Sequence, residues 1–318
     1  MTLAINGTTG ITLAGQFDSA STFGFKNRII NGGMAIDQYN AGASISTASG
    51  TAKYFIDRWR MDYSQTSKFT AQQTPSATET GYAVRVAAGF TNYFAITSSS
   101  AYSITASDQF NVSQFIEGLN VSDLAWGTAN AKTVTLSFWV YSSLTGTFGG
   151  SLSNSAFNRS YPFSYTIGTA NTWTQINVTI AGDTSGTWLT TNGIGIRVYF
   201  SIGTGSTFSG TAGAWAGAGY MSSTGATSVV GTSGATFYIT GVQLEKGSTA
   251  TSFDYRPYGT EFMLCQRYYQ TGFLAMSGYN ITGGSVGGIA PFAVTMRATP
   301  TVTYTDTLNT NTAAGTSQ

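Results

Sequence analysis

Thr133-Val-Thr-Leu-Ser-Phe-Trp-Val140 decides how this chain reads. Val134, Leu136, Phe138 and Val140 alternate with Thr133, Thr135, Ser137 and Trp139, the period of a strand with one buried face. Trp173-Thr-Gln-Ile-Asn-Val-Thr-Ile180 alternates in the same way. Beyond these lie Gly193-Ile-Gly-Ile-Arg-Val-Tyr-Phe200 and Ala235-Thr-Phe-Tyr-Ile-Thr-Gly-Val-Gln-Leu244, with Tyr82-Ala-Val-Arg-Val86 as a shorter β-rich run. Turn clusters at Thr145-Gly-Thr147, Gly182-Asp-Thr-Ser-Gly186 and Asn192-Gly193 separate them. Many strands at short spacing predict an antiparallel β-sandwich, and the helical signal is too low for an α/β fold. Gly193 and Gly195 sit inside a strand pattern, which predicts a bulge or close packing there.

The composition fits a large sheet core. Of 318 residues, 42% are hydrophobic and 14% aromatic, so wholesale disorder is not expected. Only 8% are charged, against about 25% in ordinary globular chains. Ser, Thr, Asn and Gly replace the missing charges, giving a neutral surface whose short side chains lose little entropy on ordering. A net charge of +1, with no basic cluster, supplies no electrostatic pull toward nucleic acid or anionic membrane. No run of about 18 apolar residues exists, so no membrane insertion is expected. Met1-Thr-Leu-Ala-Ile-Asn-Gly lacks the basic and apolar regions of a signal peptide. Cys265 is the single cysteine; within Phe262-Met-Leu-Cys265 it reads as a buried, inert thiol.

Several blocks carry a family resemblance in order and spacing. Asn27-Arg-Ile-Ile-Asn-Gly-Gly-Met-Ala-Ile-Asp-Gln38 is followed by Phe55-Ile-Asp-Arg-Trp-Arg-Met-Asp-Tyr63 and then Phe115-Ile-Glu-Gly-Leu-Asn-Val-Ser-Asp-Leu-Ala-Trp126. Later come Ile239-Thr-Gly-Val-Gln-Leu-Glu-Lys-Gly-Ser-Thr-Ala-Thr-Ser-Phe253, Asp254-Tyr-Arg-Pro-Tyr258 and Glu261-Phe-Met-Leu-Cys-Gln-Arg-Tyr-Tyr269. Phe292-Ala-Val-Thr-Met-Arg-Ala-Thr-Pro-Thr-Val302 closes the series. Together they resemble the tail-fibre and virion structural proteins of tailed bacteriophages that contain a jelly-roll, carbohydrate-binding-like domain. The resemblance covers roughly residues 27–300. It implies a virion component assembled in the host cytoplasm and released by lysis. It also implies a homo-oligomer, a trimer as in phage fibres, contacting other tail, neck or capsid proteins.

Three segments are expected. Residues 1–26 form an extended, virion-attachment segment. Residues 27–258 form the jelly-roll sandwich. Residues 259–318 form a short helix, begun near Pro257 and Glu261, and a small β unit containing 288–303. Alternation through 55–63 puts Phe55, Asp57, Trp59, Met61 and Tyr63 on one face, with Asp57 pairing with Arg58 or Arg85.

The chemistry excludes more than it offers. Without histidine there is no Ser-His-Asp or Cys-His catalysis and no ordinary zinc site. No phosphate loop, dinucleotide fingerprint or EF-hand occurs, so neither cofactor nor metal is expected. A glycosidase needs two carboxylates. The 13 acidic residues are scattered singly; Glu117, Asp123 and Asp183 read as turn and cap chemistry, and Glu245 as a partner of Arg256 or Arg267. No catalytic residue is assigned.

Carbohydrate binding is the function with a physical basis. Sugar rings offer C–H faces to aromatic side chains and hydroxyls to Asn, Gln, Ser and Thr. The long Gly/Ser/Thr/Ala segment 201–235 carries Trp215 and Tyr220, the candidate glycan contacts. The other tryptophans fall in blocks that read as scaffold. The expected function is a non-enzymatic tail fibre that binds host-surface polysaccharide. A purely structural capsid or neck fibre or adaptor, and a polysaccharide-degrading tailspike, are the alternatives.

Overall fold

The computed structural model describes residues 4–6, 10–12, 25–47, 50–73, 79, 81–272 and 291–303. In chain order the early strands are β1 (Ala4–Asn6), β2 (Gly10–Thr12), β3 (Ile45–Ser46), β4 (Ala52–Ile56), β5 (Trp59–Tyr63) and β6 (Phe69–Gln73). Then come β7 (Phe94–Ser98), β8 (Gln109–Glu117), β9 (Val134–Ser142), β10 (Gly146–Ser153) and β11 (Ser160–Ile167). The series ends with β12 (Thr174–Ile180), β13 (Ile194–Thr204), β14 (Ser209–Gly210), β15 (Ser222–Ser223) and β16 (Thr236–Lys246). Two α-helices are present among the described residues, α1 (Tyr82–Ala87) and α2 (Tyr258–Gln266).

Two six-stranded sheets face each other. Sheet one runs β11-β10-β13-β8-β5-β4, and sheet two runs β12-β9-β16-β7-β6-β3. Every pairing within them is antiparallel. The expected sandwich is therefore the observed fold. β1 and β2 form a separate antiparallel pair, while β14 and β15 form a short parallel one.

The alternation read in the sequence sets the core. Val134, Leu136, Phe138 and Val140 are fully buried, as are Val198, Phe200 and Ile202 from the opposite sheet. Phe138 meets Phe200 at 4.9 Å and Tyr165 at 5.1 Å between ring centroids, both edge-on. Trp59 lies 6.3 Å from Phe200. Each such side chain contributes about 1.5–3 kcal/mol by leaving water. The glycine signal is also met: β13 and β8 change register between Ile194 and Ile196, and a Cβ on Gly195 would lie 2.7 Å from the Gly118 Cα.

The sandwich is closed at one end by backbone–side-chain bonds rather than by another strand. Asn27 donates from Nδ2 to Val242 O (3.0 Å) and accepts at Oδ1 from Ile29 N (2.9 Å) and Leu244 N (3.1 Å). Gln114 of β8 faces the core and brackets Ile30, accepting from its N–H (2.9 Å) and donating to its carbonyl (2.8 Å). Gln243 accepts from Asp254 N at 2.8 Å, and Asp254 accepts from Asn27 N at 3.1 Å. Arg256 donates to Glu261 (3.1 Å), Ile29 O (3.2 Å) and Asn27 O. The motifs around residues 27 and 243–261 are thus two halves of one buried polar lattice.

The structure differs from the sequence reading in several places. Residues 55–63 are not one strand: β4 and β5 turn at Asp57-Arg58, with Arg58 in the left-handed region (φ 69°). Asp57 pairs with neither arginine as expected. It accepts from the N–H and Nε2 of Gln38, both at 2.6 Å, and burial raises its pKa despite those bonds. Tyr82–Val86 is helical, not β. Its inward residue is Arg85, fully buried, which pairs with Glu79 (2.7 Å) and donates to Phe90 O (2.6 Å). Glu245 pairs with neither arginine; it accepts from Gln243 (2.9 Å) and from Thr251 N (2.8 Å) and Oγ1 (2.6 Å).

Most of the expected extended segment 1–26 and of the C-terminal unit lies outside the described residues. Within 291–303 no strand forms, and Phe292 and Val302 are exposed. α2 packs its buried Cys265 against Ile30 and Ile36. Burial pushes that thiol's pKa up, consistent with an inert cysteine.

Replacing Asn27 with Ala should cost on the order of 2–3 kcal/mol, because two N–H groups and a carbonyl lose their buried partner; the midpoint of urea unfolding reads it. Asp108 supplies a pH signature. Burial raises its pKa, but hydrogen bonds from Ser64, Thr105 and Tyr102 outweigh burial and bring it from 3.8 to about 2. Its stabilisation is therefore complete above the unfolded value and is lost as pH falls through the folded one. The melting-temperature gap between wild type and Asp108→Asn should hold down to about pH 4 and close toward pH 2.

Candidate functional site

The outward face of sheet one carries an unusual group of side chains. Inward residues of β5, β8 and β13 fill the core, so their neighbours point out: Arg60 and Asp62, Ser113 and Phe115, Arg197 and Tyr199. Register places Arg60 opposite Ser113, Arg197 opposite Phe115 and Tyr199 opposite Ser113. Tyr54 of β4 extends the row beside Arg60. The Arg60 guanidinium lies 4.3 Å from the Phe115 ring centroid and that of Arg197 lies 4.9 Å from it. Such stacking pairs an arginine face with the aromatic quadrupole.

Asp62 forms an ion pair with Arg60 and accepts from Ser113 Oγ. Arg197 donates to Ser155 O at 2.7 Å and makes no ion pair among the described residues. Phe157 adds a wall, 6.2 Å from Tyr199 and 5.9 Å from the Arg197 guanidinium. Tyr54, Arg60, Phe115, Phe157 and Arg197 are all half-buried, while Tyr199 is buried. Burial raises the Tyr199 pKa, with the Asp62 carboxylate adding to the effect.

The 201–235 segment is an ordered cover, not a free loop. It crosses the β10–β11 half of the same outer face. Ser160 accepts from Ala216 N (2.8 Å) and donates from Oγ to Ala218 O (2.7 Å). Asn111 Nδ2 donates to Met221 Sδ at 3.3 Å. Phe208 touches Phe157 at 6.4 Å, so the cover borders the arginine–phenylalanine group.

Trp215 pins this cover. Its ring meets Trp126 at 5.3 Å, Trp188 at 5.4 Å and Tyr161 at 5.3 Å, all edge-on. Its Nε1 donates to Ala181 O at 2.8 Å. Trp126 and Trp188 likewise spend their N–H groups on the carbonyls of Lys132 and Ser185. A shallow depression beside them is lined by Val121, Trp126, Trp188, Leu189 and Ile196. Tyr220, half-buried, donates its N–H to Ser160 Oγ (3.1 Å) and makes no ring contact with Trp215 among the described residues. The two residues singled out in the sequence share a cover but not a cluster. The residues that sequence reasoning missed are Arg60, Phe115 and Arg197. Their signal was present as the polar half of three alternating strands, but nothing local shows that those strands are neighbours.

The scattered carboxylates are engaged. Asp183 binds Arg159 through two bonds (2.6 and 2.8 Å) and also caps Ser185 N (3.1 Å). Glu117 binds Arg267 (2.6 and 2.9 Å) and the Tyr268 hydroxyl (2.7 Å), fastening α2 to sheet one rather than shaping a turn. Asp123 pairs with Arg28 at 2.9 Å. Among the described residues no cluster of His, Cys, Asp or Glu could hold a metal ion. Nor is any described helix long and apolar enough to cross a membrane.

No family model matches the chain, and no curated protein matches it. Solved structures show distant likeness. One is the enzymatically active domain of tailspike protein 4 from bacteriophage CBA120, 12% identical over 70% of this chain and 21% of that one, with a TM-score of 0.35. A second is a carbohydrate-binding module in complex with β-1,4-galactotriose, 11% identical over 70% of this chain and all (100%) of that one, TM-score 0.33. A third is a family 11 carbohydrate-binding module from Clostridium thermocellum, 10% identical over 65% and 96%, TM-score 0.31. The chain spans about a fifth of the tailspike chain. The sandwich itself, with its two antiparallel sheets, carries the fold assignment.

Trp215→Ala should loosen the cover without unfolding the sandwich. Limited proteolysis should cut within 205–226 about tenfold faster than in wild type, as expected for a segment released from its packing. Unchanged cleavage would mean that the tryptophan cluster does not hold the segment.

Proposed function

We propose that this chain is a non-enzymatic bacteriophage fibre protein that binds glycan on the host surface through the outer face of sheet one. The observation that carries the reading is the group Tyr54, Phe115 and Phe157, half-buried on and beside a sheet face among the guanidinium groups of Arg60 and Arg197. Ligand sites combine apolar and aromatic surface with a few placed polar groups in this way. The phenyl and phenol rings offer faces or edges to sugar C–H groups, and Arg60, Arg197 and Asp62 offer directional hydrogen bonds. Trp215 and Tyr220 belong to the adjoining cover, which a longer glycan laid across the sheet reaches next.

Binding rather than hydrolysis is favoured by the engaged state of Glu117, Asp183, Glu245 and Glu261, each already accepting from arginine or from threonine and amide donors. A fibre subunit also requires company. Phe25, Tyr258 and Met263 are 58%, 65% and 51% exposed near α2, a surface suited to neighbouring copies in a homotrimer within the virion. Several copies raise avidity by about 10²–10⁴ without strong single sites.

The test is saturable binding of purified oligomer to intact host cells, with competition against whole virions. Phe115→Ala and Tyr54→Ala should each weaken binding at least about tenfold, equivalent to roughly 1.4 kcal/mol, with melting temperature little changed. A correctly assembled oligomer that neither binds nor competes would make the protein a structural fibre or adaptor instead.

A further inference from the structure

We infer that the glycan taken by this face is acidic, a saccharide bearing a carboxylate that Arg197 and Arg60 hold beside Phe115. The inference rests on the glycan-binding reading and names its ligand class.

Among the described residues Arg28, Arg60, Arg85, Arg159, Arg256 and Arg267 each pair with a carboxylate. Arg58, Arg297 and Arg197 do not; Arg58 stacks on Tyr268 and Arg297 donates to Asn192 O, whereas Arg197 stands on β13 in the middle of sheet one, between β10 and β8. Its bond to Ser155 O occupies Nη2, and its Nε is buried without a partner, as is the Nε of Arg60. Arg60 reaches Phe115 from β5 on one side and Arg197 from β13 on the other. Asp62 balances only one of the two charges. The patch is therefore a net cation on a chain otherwise nearly neutral.

Ligand discrimination follows from desolvation. A sugar stacked beside Phe115 also covers Arg197 and removes its water. A neutral sugar returns at most hydroxyl acceptors and leaves the guanidinium charge uncompensated, which is costly once buried. A carboxylate returns both charge and acceptor oxygens to the guanidinium groups. The stacked faces of the two arginines lie against the ring, so the edge donors are the ones that remain for the ligand. Selectivity arises as much from the penalty on neutral chains as from attraction to acidic ones.

The experiment uses the full-length protein and a panel of bacterial envelope polysaccharides of known composition. Each acidic member is tested before and after its carboxylates are reduced to alcohols with carbodiimide and borohydride. At least one native acidic polysaccharide should bind ten times or more tighter than its reduced form, and the difference should shrink as salt rises. Arg197→Gln should bring binding of the native form down to that of the reduced form while leaving the reduced form unaffected. Arg197→Lys, which keeps the charge and loses the planar guanidinium stacked on Phe115, should fall between them and controls for misfolding. Equal binding of native and reduced forms, or binding to neutral polysaccharides alone, overturns the acidic assignment and leaves glycan binding standing. No binding to any member overturns both.

Discussion

The structure depends on the buried hydrogen bonds that tie residues 27–31 to the end of β16. Asn27, Gln114, Gln243 and Arg256 satisfy backbone groups that have no strand partner where the two sheets converge. Buried main-chain donors and acceptors must be paired, and side-chain amides can do what a ladder does elsewhere. With this lattice in place, Ile29 enters the main core, and Ile30 and Ile36 form the seat for α2. α2 in turn carries Arg267 and Tyr268 onto Glu117, at the end of β8. The position of the outer face of sheet one thus descends from a few amides at its edge.

How much of this could be read from the sequence depended on the range of each signal. β9 and β12 were legible because a period of two along seven to nine residues states a buried face outright. The chain reversal at Asp57-Arg58 was not, because the left-handed residue there is an arginine rather than glycine or asparagine. α1 was misread because its composition favours a strand, while a buried ion pair and the carbonyl of Phe90 decide the outcome. The resemblance blocks around residues 27 and 243–261 were visible as motifs, but their joint role as one lattice required three dimensions. The candidate site was least legible of all. Arg60, Phe115 and Arg197 come from three strands, and only register brings them together.

Scarcity of charge has a structural use beyond solubility. The cover formed by 205–226 lies directly on strands whose outward residues are Ser151, Ser153 and Ser201, all fully buried, and Gly149. A Cβ on Gly149 would come within 2.5 Å of the Ser222 and Ser223 hydroxyls, so the close approach needs a side chain of no size at all. Larger or charged residues on that half of the face would lift the cover and move Phe208 away from Phe157. Small residues under the cover and arginines beside it divide one sheet face into a packed half and a half-open one.

Among the described residues β16 is the last strand made and yet a central one, lying between β9 and β7. Until it inserts, β12 and β9 share no ladder with β7, β6 and β3, so sheet two exists only as two separate fragments. Its attachment also completes contacts across most of the chain, such as Asn27 to Leu244, 217 residues apart. Closing loops of that length must precede the reward for closing them. During synthesis the first two hundred residues therefore wait with exposed strand edges for a segment still in the ribosome. Arrival of β16, rather than any local nucleus, sets the moment at which the sandwich becomes a single cooperative body.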